Sequence, residues 1–135
     1  DPGNKLIEHL HKHNIPVEII PLPGPSALTA LISVCGLNFE RFVFLAFLPH
    51  KKGKDRLLQQ IASSELPVIF YESTHRVLKT LTQLQTYLPT DRQLVVGREL
   101  TKAHETIYRG TLDTIIQNLQ NSSTKGEFVI IVEGR

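Results

Sequence analysis

The sequence has 135 residues, enough for one compact domain and too few for two of ordinary size. Hydrophobic residues make up 41% and charged residues 21%, an ordinary globular composition that excludes a disordered chain. Fifteen Lys and Arg against thirteen Asp and Glu leave a formal charge of +2, so any polyanion contact must come from local clustering.

The lone cysteine, Cys35, cannot form an internal bridge, which excludes a disulfide scaffold and fits a reducing, cytoplasmic setting. No apolar run reaches the roughly 18 residues of a membrane span, and no secretory leader pattern is present. The chain contains no methionine and opens on the turn tripeptide Asp1-Pro2-Gly3, so it reads as a piece of a longer protein.

Asp1 is placed to cap a short helix carrying Leu6, Ile7 and Leu10 and ending near Asn14. The β-branched run Val17 to Ile20 predicts a short buried strand. Pro21, Pro23 and Pro25 then forbid regular structure, because each fixes φ and removes a donor. Ser26 to Cys35 is apolar on nearly every face and predicts a buried helix closed by Gly36. Arg41 to Leu48 has strand composition, Pro49 to Lys54 is a basic turn, and Leu57, Leu58 and Ile61 mark a helix. Pro67 to Tyr71 is a continuous apolar strand, and Ser73 or Thr74 caps an amphipathic helix through Val77, Leu78, Leu81 and Leu84. Strands follow at Gln93 to Gly97 and Glu105 to Tyr108. Thr111 caps a helix with Leu112, Ile115, Ile116 and Leu119, and Phe128 to Val132 closes as a buried strand. Helices that alternate with strands apolar on both faces predict a three-layer αβα sandwich; two closely spaced strands after Gln93 suggest a mixed sheet.

Four junctions are candidates for chemistry. Pro23-Gly24-Pro25-Ser26-Ala27 joins a strand end to a helix start, where free N–H groups collect ligands; the competing reading is a rigid elbow. His50-Lys51-Lys52-Gly53-Lys54-Asp55-Arg56 suits phosphate contacts, or is a solvated turn. Arg98 to Glu105 packs acids, bases and a hydroxyl onto a loop past a buried strand, or is an ion-paired connector. At Tyr71-Glu72-Ser73-Thr74-His75-Arg76, a hydroxyl caps a helix and Arg76 is placed to face a phosphate. His9, His11 and His13 lack the supporting ligands of a metal site, so none is assigned, and Cys35 reads as a buried structural thiol.

These junctions, with Phe47-Leu48-Pro49, Gly110-Thr111-Leu112 and Lys125-Gly126-Glu127-Phe128 in the same order, resemble the ribosomal RNA small subunit methyltransferase I branch of the tetrapyrrole methylases. The resemblance implies a class III methyltransferase fold, with residues 1–22 the tail of an N-terminal domain and linker, and 23–135 the C-terminal domain. It implies S-adenosylmethionine as methyl donor, a cytidine ribose 2′-hydroxyl of small-subunit rRNA as acceptor, and a homodimer. The Gly-rich strand end and Asp-Ala-Gly element of the family's first half are not in this sequence, so half a cofactor site is implied. By position, Pro23, Gly24, Ser26, Ala27, Tyr71, Glu72, Leu100 and Thr101 would line the cofactor. Glu99 or Glu105 would serve as base with Lys102 orienting, and Lys51, Lys52, Lys54, Arg56 and Arg76 would bind RNA. His50 stands where the family pattern has arginine. Two other readings stay open at this point: a corrin or porphyrin C-methyltransferase, and a non-catalytic dimerisation or RNA-binding module.

Overall fold

The computed structural model describes residues 2–135, apart from the side chain of Pro2, so the cap expected at Asp1 lies outside the described residues. Helix α1 (Pro2–Lys12) is exposed along most of its length and carries a Glu8–Lys12 ion pair one turn apart. The segment that follows corrects the sequence reading. Val17 to Ile20 forms no strand, and Ile20 is 65% exposed. A β-branched run becomes a strand only where a neighbour takes its N–H and C=O groups, and among the described residues no strand pairs with it.

The rest is built on five strands: β1 (Val43–Phe47), β2 (Val68–Ser73), β3 (Gln93–Arg98), β4 (Thr106–Thr111) and β5 (Glu127–Val132). Their order across the sheet is β1-β2-β5-β3-β4. β1 and β2 run parallel and every other pairing is antiparallel, so the sheet is mixed as expected. β5 shows why its sequence is apolar from Phe128 onward. Phe128, Ile130 and Val132 face a core shared with α3 (Lys54–Ser63), α4 (Val77–Leu84) and α5 (Leu112–Gln120), through Leu58, Ile61, Leu81, Leu84, Ile115 and Leu119. Val129 and Ile131 face the opposite side with Ile69 and Val95, under Leu31 and Cys35 at helix α2 (Ala27–Val34). Helices thus cover both faces, giving three layers.

Two local expectations are corrected. α2 is not buried all round: Leu31 and Cys35 are sealed, while Val34 is 45% exposed, because only one face of the helix meets the sheet. Neither Ser73 nor Thr74 caps α4, because β2 runs on to Ser73 and a turn closed by the Arg76 N–H to the Ser73 carbonyl intervenes. The Thr74 hydroxyl instead donates to the Thr124 carbonyl. Thr111 holds the N-cap position of α5, but its hydroxyl meets the Thr114 hydroxyl at 3.0 Å rather than a backbone N–H.

Candidate functional site

Because β3 is antiparallel to β5, and β5 to β2, the carboxyl ends of β1, β2 and β3 share one rim with the starts of β4 and β5. The proline elbow, the Tyr71-Glu72 corner and the Glu99–Lys102 bend all open onto that rim. A hollow of about 460 Å³ lies between Gly24, Pro25, Ser26, Ala27, Thr29 and Ala30 on one wall and Leu100 and Thr101 on the other. A smaller one of about 190 Å³ adjoins it across Ala27 and Leu100, and reaches Phe47, Tyr71, Glu99 and Glu127. Pro23 is exposed just before the first wall and lines neither hollow. Strand-end placement of ligand sites is the general behaviour of α/β sheets.

The walls are shaped by close approaches. A Cβ on Gly97 would lie 2.9 Å from both Leu31 and Leu100 side chains, so the bare backbone of β3 is what lets Leu100 settle between the strand and α2. The aromatic ring of Tyr71 packs edge-on against Phe44 with centroids 5.1 Å apart and against Phe47 at 5.5 Å. Non-glycine residues with positive φ collect here too: Ala46 at 51°, Glu99 at 50° and Thr101 at 65°. Such strain persists only where surrounding contacts over-determine it, and it concentrates at functional sites.

Those contacts form an ionic lattice. Lys102 Nζ lies 3.0 Å from Glu99 Oε1 and 2.9 Å from Glu127 Oε2. The Glu127 N–H donates to the Glu99 carboxylate at 2.9 Å, and the Glu99 N–H donates to the Glu127 carbonyl at 3.0 Å. The Thr101 N–H donates to Glu105 Oε2 at 2.6 Å. The Glu127 N–H, and then Lys102, hold the Glu99 carboxyl below its ordinary value; the hydrogen bonds to Glu127 and Glu99 hold the Lys102 ammonium above its own. Glu99 is therefore a fixed anion and acceptor rather than a ready store for a proton. Two carboxylates, those of Glu99 and Glu127, stand around the one ammonium of Lys102, while Glu105 turns to the Thr101 N–H.

The basic segment divides. Lys51, Lys52 and Arg56 are exposed, as phosphate contacts require. Lys54 and Arg76 depart from the expected role. Lys54 is 6% exposed and donates to the Thr80 hydroxyl at 2.8 Å; burial, opposed by the charge of Glu72, lowers its pKa. Arg76 donates to the Leu48 and Pro49 carbonyls at 2.7 and 3.2 Å and meets Glu72 at 3.2 Å. The Glu72 carboxylate is sealed from solvent and also accepts the Thr80 hydroxyl and the Ser73 N–H, so its charge points into the protein rather than into the hollow.

Sequence reasoning left Phe47, Gly126 and Glu127 out of the site. The ordered block Lys125-Gly126-Glu127-Phe128 is the available signal, since it opens a strand that starts at the same rim.

Strand order, rim and hollow together define a methylase fold, and the comparisons place it. The sequence profile of the Tetrapyrrole (Corrin/Porphyrin) Methylases matches residues 1–116, and the chain belongs to that family. It is 46% identical over 135 residues to a Ribosomal RNA small subunit methyltransferase I of Synechocystis, covering 99% of this chain and 48% of the relative. Proteins of the same name from Xylella fastidiosa and Thermotoga maritima are 45% and 34% identical, with 50% and 60% of their lengths covered. The chain thus spans about half the length of the curated relatives it matches. The solved structure of the cobalamin biosynthetic enzyme cobalt precorrin-4 methyltransferase, CbiF, superposes with a TM-score of 0.68 at 14% identity, over 96% of this chain and 56% of that one. The methyltransferase CobJ gives 0.65 at 20% identity, over 96% and 57%. Both show the same fold. Among the described residues no helix is long and apolar enough to cross a membrane.

Proposed function

We propose that this chain is the C-terminal half of an S-adenosylmethionine-dependent methyltransferase that modifies the 2′-hydroxyl of a cytidine ribose in small-subunit rRNA. Residues 1–22 are the tail of the preceding domain and its linker, and 23–135 the C-terminal domain. The supporting observation is that the proline elbow, the Tyr71 corner and the Glu99–Lys102 bend meet on one rim, in a chain that matches about half the length of relatives of that name along nearly all of its own.

The donor group, when bound, supplies a methyl on a sulfonium, and its transfer is an in-line displacement that depends on alignment more than on a protein nucleophile. The residues present fit such a group. Gly24, Ser26 and Ala27 with Leu100 and Thr101 form a hollow of suitable size, and Ser26 caps no helix N–H, which leaves its hydroxyl available. Tyr71 and the backbone at Glu72 border the smaller annex, which Phe47, Glu99 and Glu127 also line. Lys102, fixed between Glu99 and Glu127, orients the acceptor; Glu105, exposed and bonded to the N–H of Thr101 on the wall of the hollow, receives the proton of the ribose hydroxyl. Lys51, Lys52 and Arg56 hold the RNA backbone. The working form in this proposal is a cytoplasmic homodimer.

The test is methyl transfer by the full-length protein from radiolabelled S-adenosylmethionine to small-subunit RNA, followed by mapping of the label. Label on a ribose oxygen is the expected result. Transfer only to a tetrapyrrole carbon would make the protein a corrin or porphyrin methylase, and no donor binding at all would leave a dimerisation or RNA-binding module.

A further inference from the structure

The basic segment is a loop hung at both ends from one buried carboxylate. Its exit from β1 is held where the Arg76 guanidinium donates to the carbonyls of Leu48 and Pro49. Its entry into α3 is held where Lys54 Nζ donates to Thr80 Oγ1. Both holds lead to Glu72. Thr80 Oγ1 donates onward to Glu72 Oε2 at 2.7 Å, and Arg76 Nε lies 3.2 Å from Glu72 Oε1. The Glu72 side chain is fully buried and Thr80 is inaccessible, so these bonds sit where water does not compete for them. Between the two anchors Lys51 and Lys52 remain exposed, with Arg56 one turn into the helix.

A buried carboxylate facing two cations is a poor device for stability alone, since an apolar trio of similar volume would do as well. It is a good device for geometry, because charge-assisted bonds are directional and fix a loop against a strand end. We propose that Glu72 is a positioning residue which, through Thr80 and Arg76, clamps both ends of the loop. The clamp holds Lys51, Lys52 and Arg56 at a set distance from the rim hollow, for contact with phosphates of an RNA chain. The contact with RNA rests on the function proposed above; the clamp itself does not.

The experiment separates the two. Thr80→Val keeps the volume of a buried residue but breaks both bonds of the bridge; Thr80→Ser restores the hydroxyl. Hydrogen exchange is read at the Lys54 amide, bonded to the Lys51 carbonyl, and the Leu57 amide, bonded to that of Gly53, with the β5 amides as reference. Exchange at the two loop amides is expected to rise about tenfold in Thr80→Val, with β5 unchanged and Thr80→Ser near wild type. Binding of small-subunit RNA by the full-length protein weakens about tenfold in the same variant, while donor affinity is unaltered. Should Thr80→Val fail to fold, Lys54→Met gives the same exchange reading. Loop exchange that stays at the wild-type rate in the folded variant overturns the clamp. Faster exchange with unchanged RNA affinity overturns the presentation of the cations. If replacing Lys51 and Lys52 by Ala leaves RNA affinity untouched, it is the RNA reading that falls, with the clamp intact.

Discussion

Gly126 and Glu99 touch across the start of β5 and the end of β3, so closely that a Cβ on residue 126 would lie 2.5 Å from Glu99 Cγ. Gly126 also has φ at +120°, a region L side chains rarely adopt. The glycine is what allows the Glu99 carboxylate to lie against the β5 backbone and accept the Glu127 N–H. Gly126→Ala should cost about 1–3 kcal/mol of stability by strain alone. It should also loosen Lys102, which urea denaturation and donor titration of the same variant will read separately.

Gly97→Ala addresses the other wall. The added methyl would press on the ends of the Leu31 and Leu100 side chains, which have some freedom to move. An overpacking cost of about 1–3 kcal/mol is expected. Because Leu100 borders both hollows, donor affinity should fall together with the melting temperature. A melting temperature that drops while donor affinity holds would remove Leu100 from the donor wall.

The lattice predicts a pH response with two limbs. The Glu127 N–H and Lys102 lower Glu99 below its ordinary 4.5, so its contribution is complete above that value and disappears as pH falls through the lower folded value. Hydrogen bonds to Glu127 and Glu99 raise Lys102 above its ordinary 10.5, so its contribution is complete below that value and disappears as pH rises through the higher folded value. Melting temperature followed against pH should therefore fall at both extremes in wild type. Glu99→Gln should flatten the acid limb. In the full-length protein, if it is the methyltransferase proposed above and Glu99 holds Lys102 toward the acceptor, the same variant should lower turnover with donor affinity near normal.

Exposed cations are read by salt. Replacing Lys51 and Lys52 with Ala should reduce the slope of log affinity against log salt by about 1.4 for single-stranded RNA, at roughly 0.7 per phosphate lost. An unchanged slope would show that these ammonium groups touch no phosphate.

The sequence made the layers legible because residues 128–132 of β5 and 68–70 of β2 are apolar at every position, a pattern that strands covered on both faces require. The rim was legible for a related reason: three of the four candidate junctions follow β1, β2 and β3, and the parallel relation of those strands puts their ends together, while the proline elbow reaches the rim with no strand before it. Other features depend on pairing or direction, which residue type does not encode. Val17 to Ile20 has strand composition, but among the described residues no strand pairs with it. Lys54 and Arg76 have the same charge as Lys51 and Lys52 yet turn inward, because Glu72, eighteen residues past one and four before the other, is buried between them. Glu127 escaped notice since an acidic residue opening an apolar strand looks like ordinary solvation, and its bond to Lys102 spans 25 positions.

Valine and isoleucine at 17, 19 and 20 lie open to water in this chain, while β1, an outer strand of the sheet, leaves one side of its own backbone unpaired. Such a ribbon is adhesive, and the prolines at 16, 21, 23 and 25 act as its gatekeepers because they offer no N–H for zippering. Replacing Pro16 and Pro21 with residues that restore those donors should turn a well-behaved preparation into one that clouds as it is concentrated, an outcome light scattering would register directly.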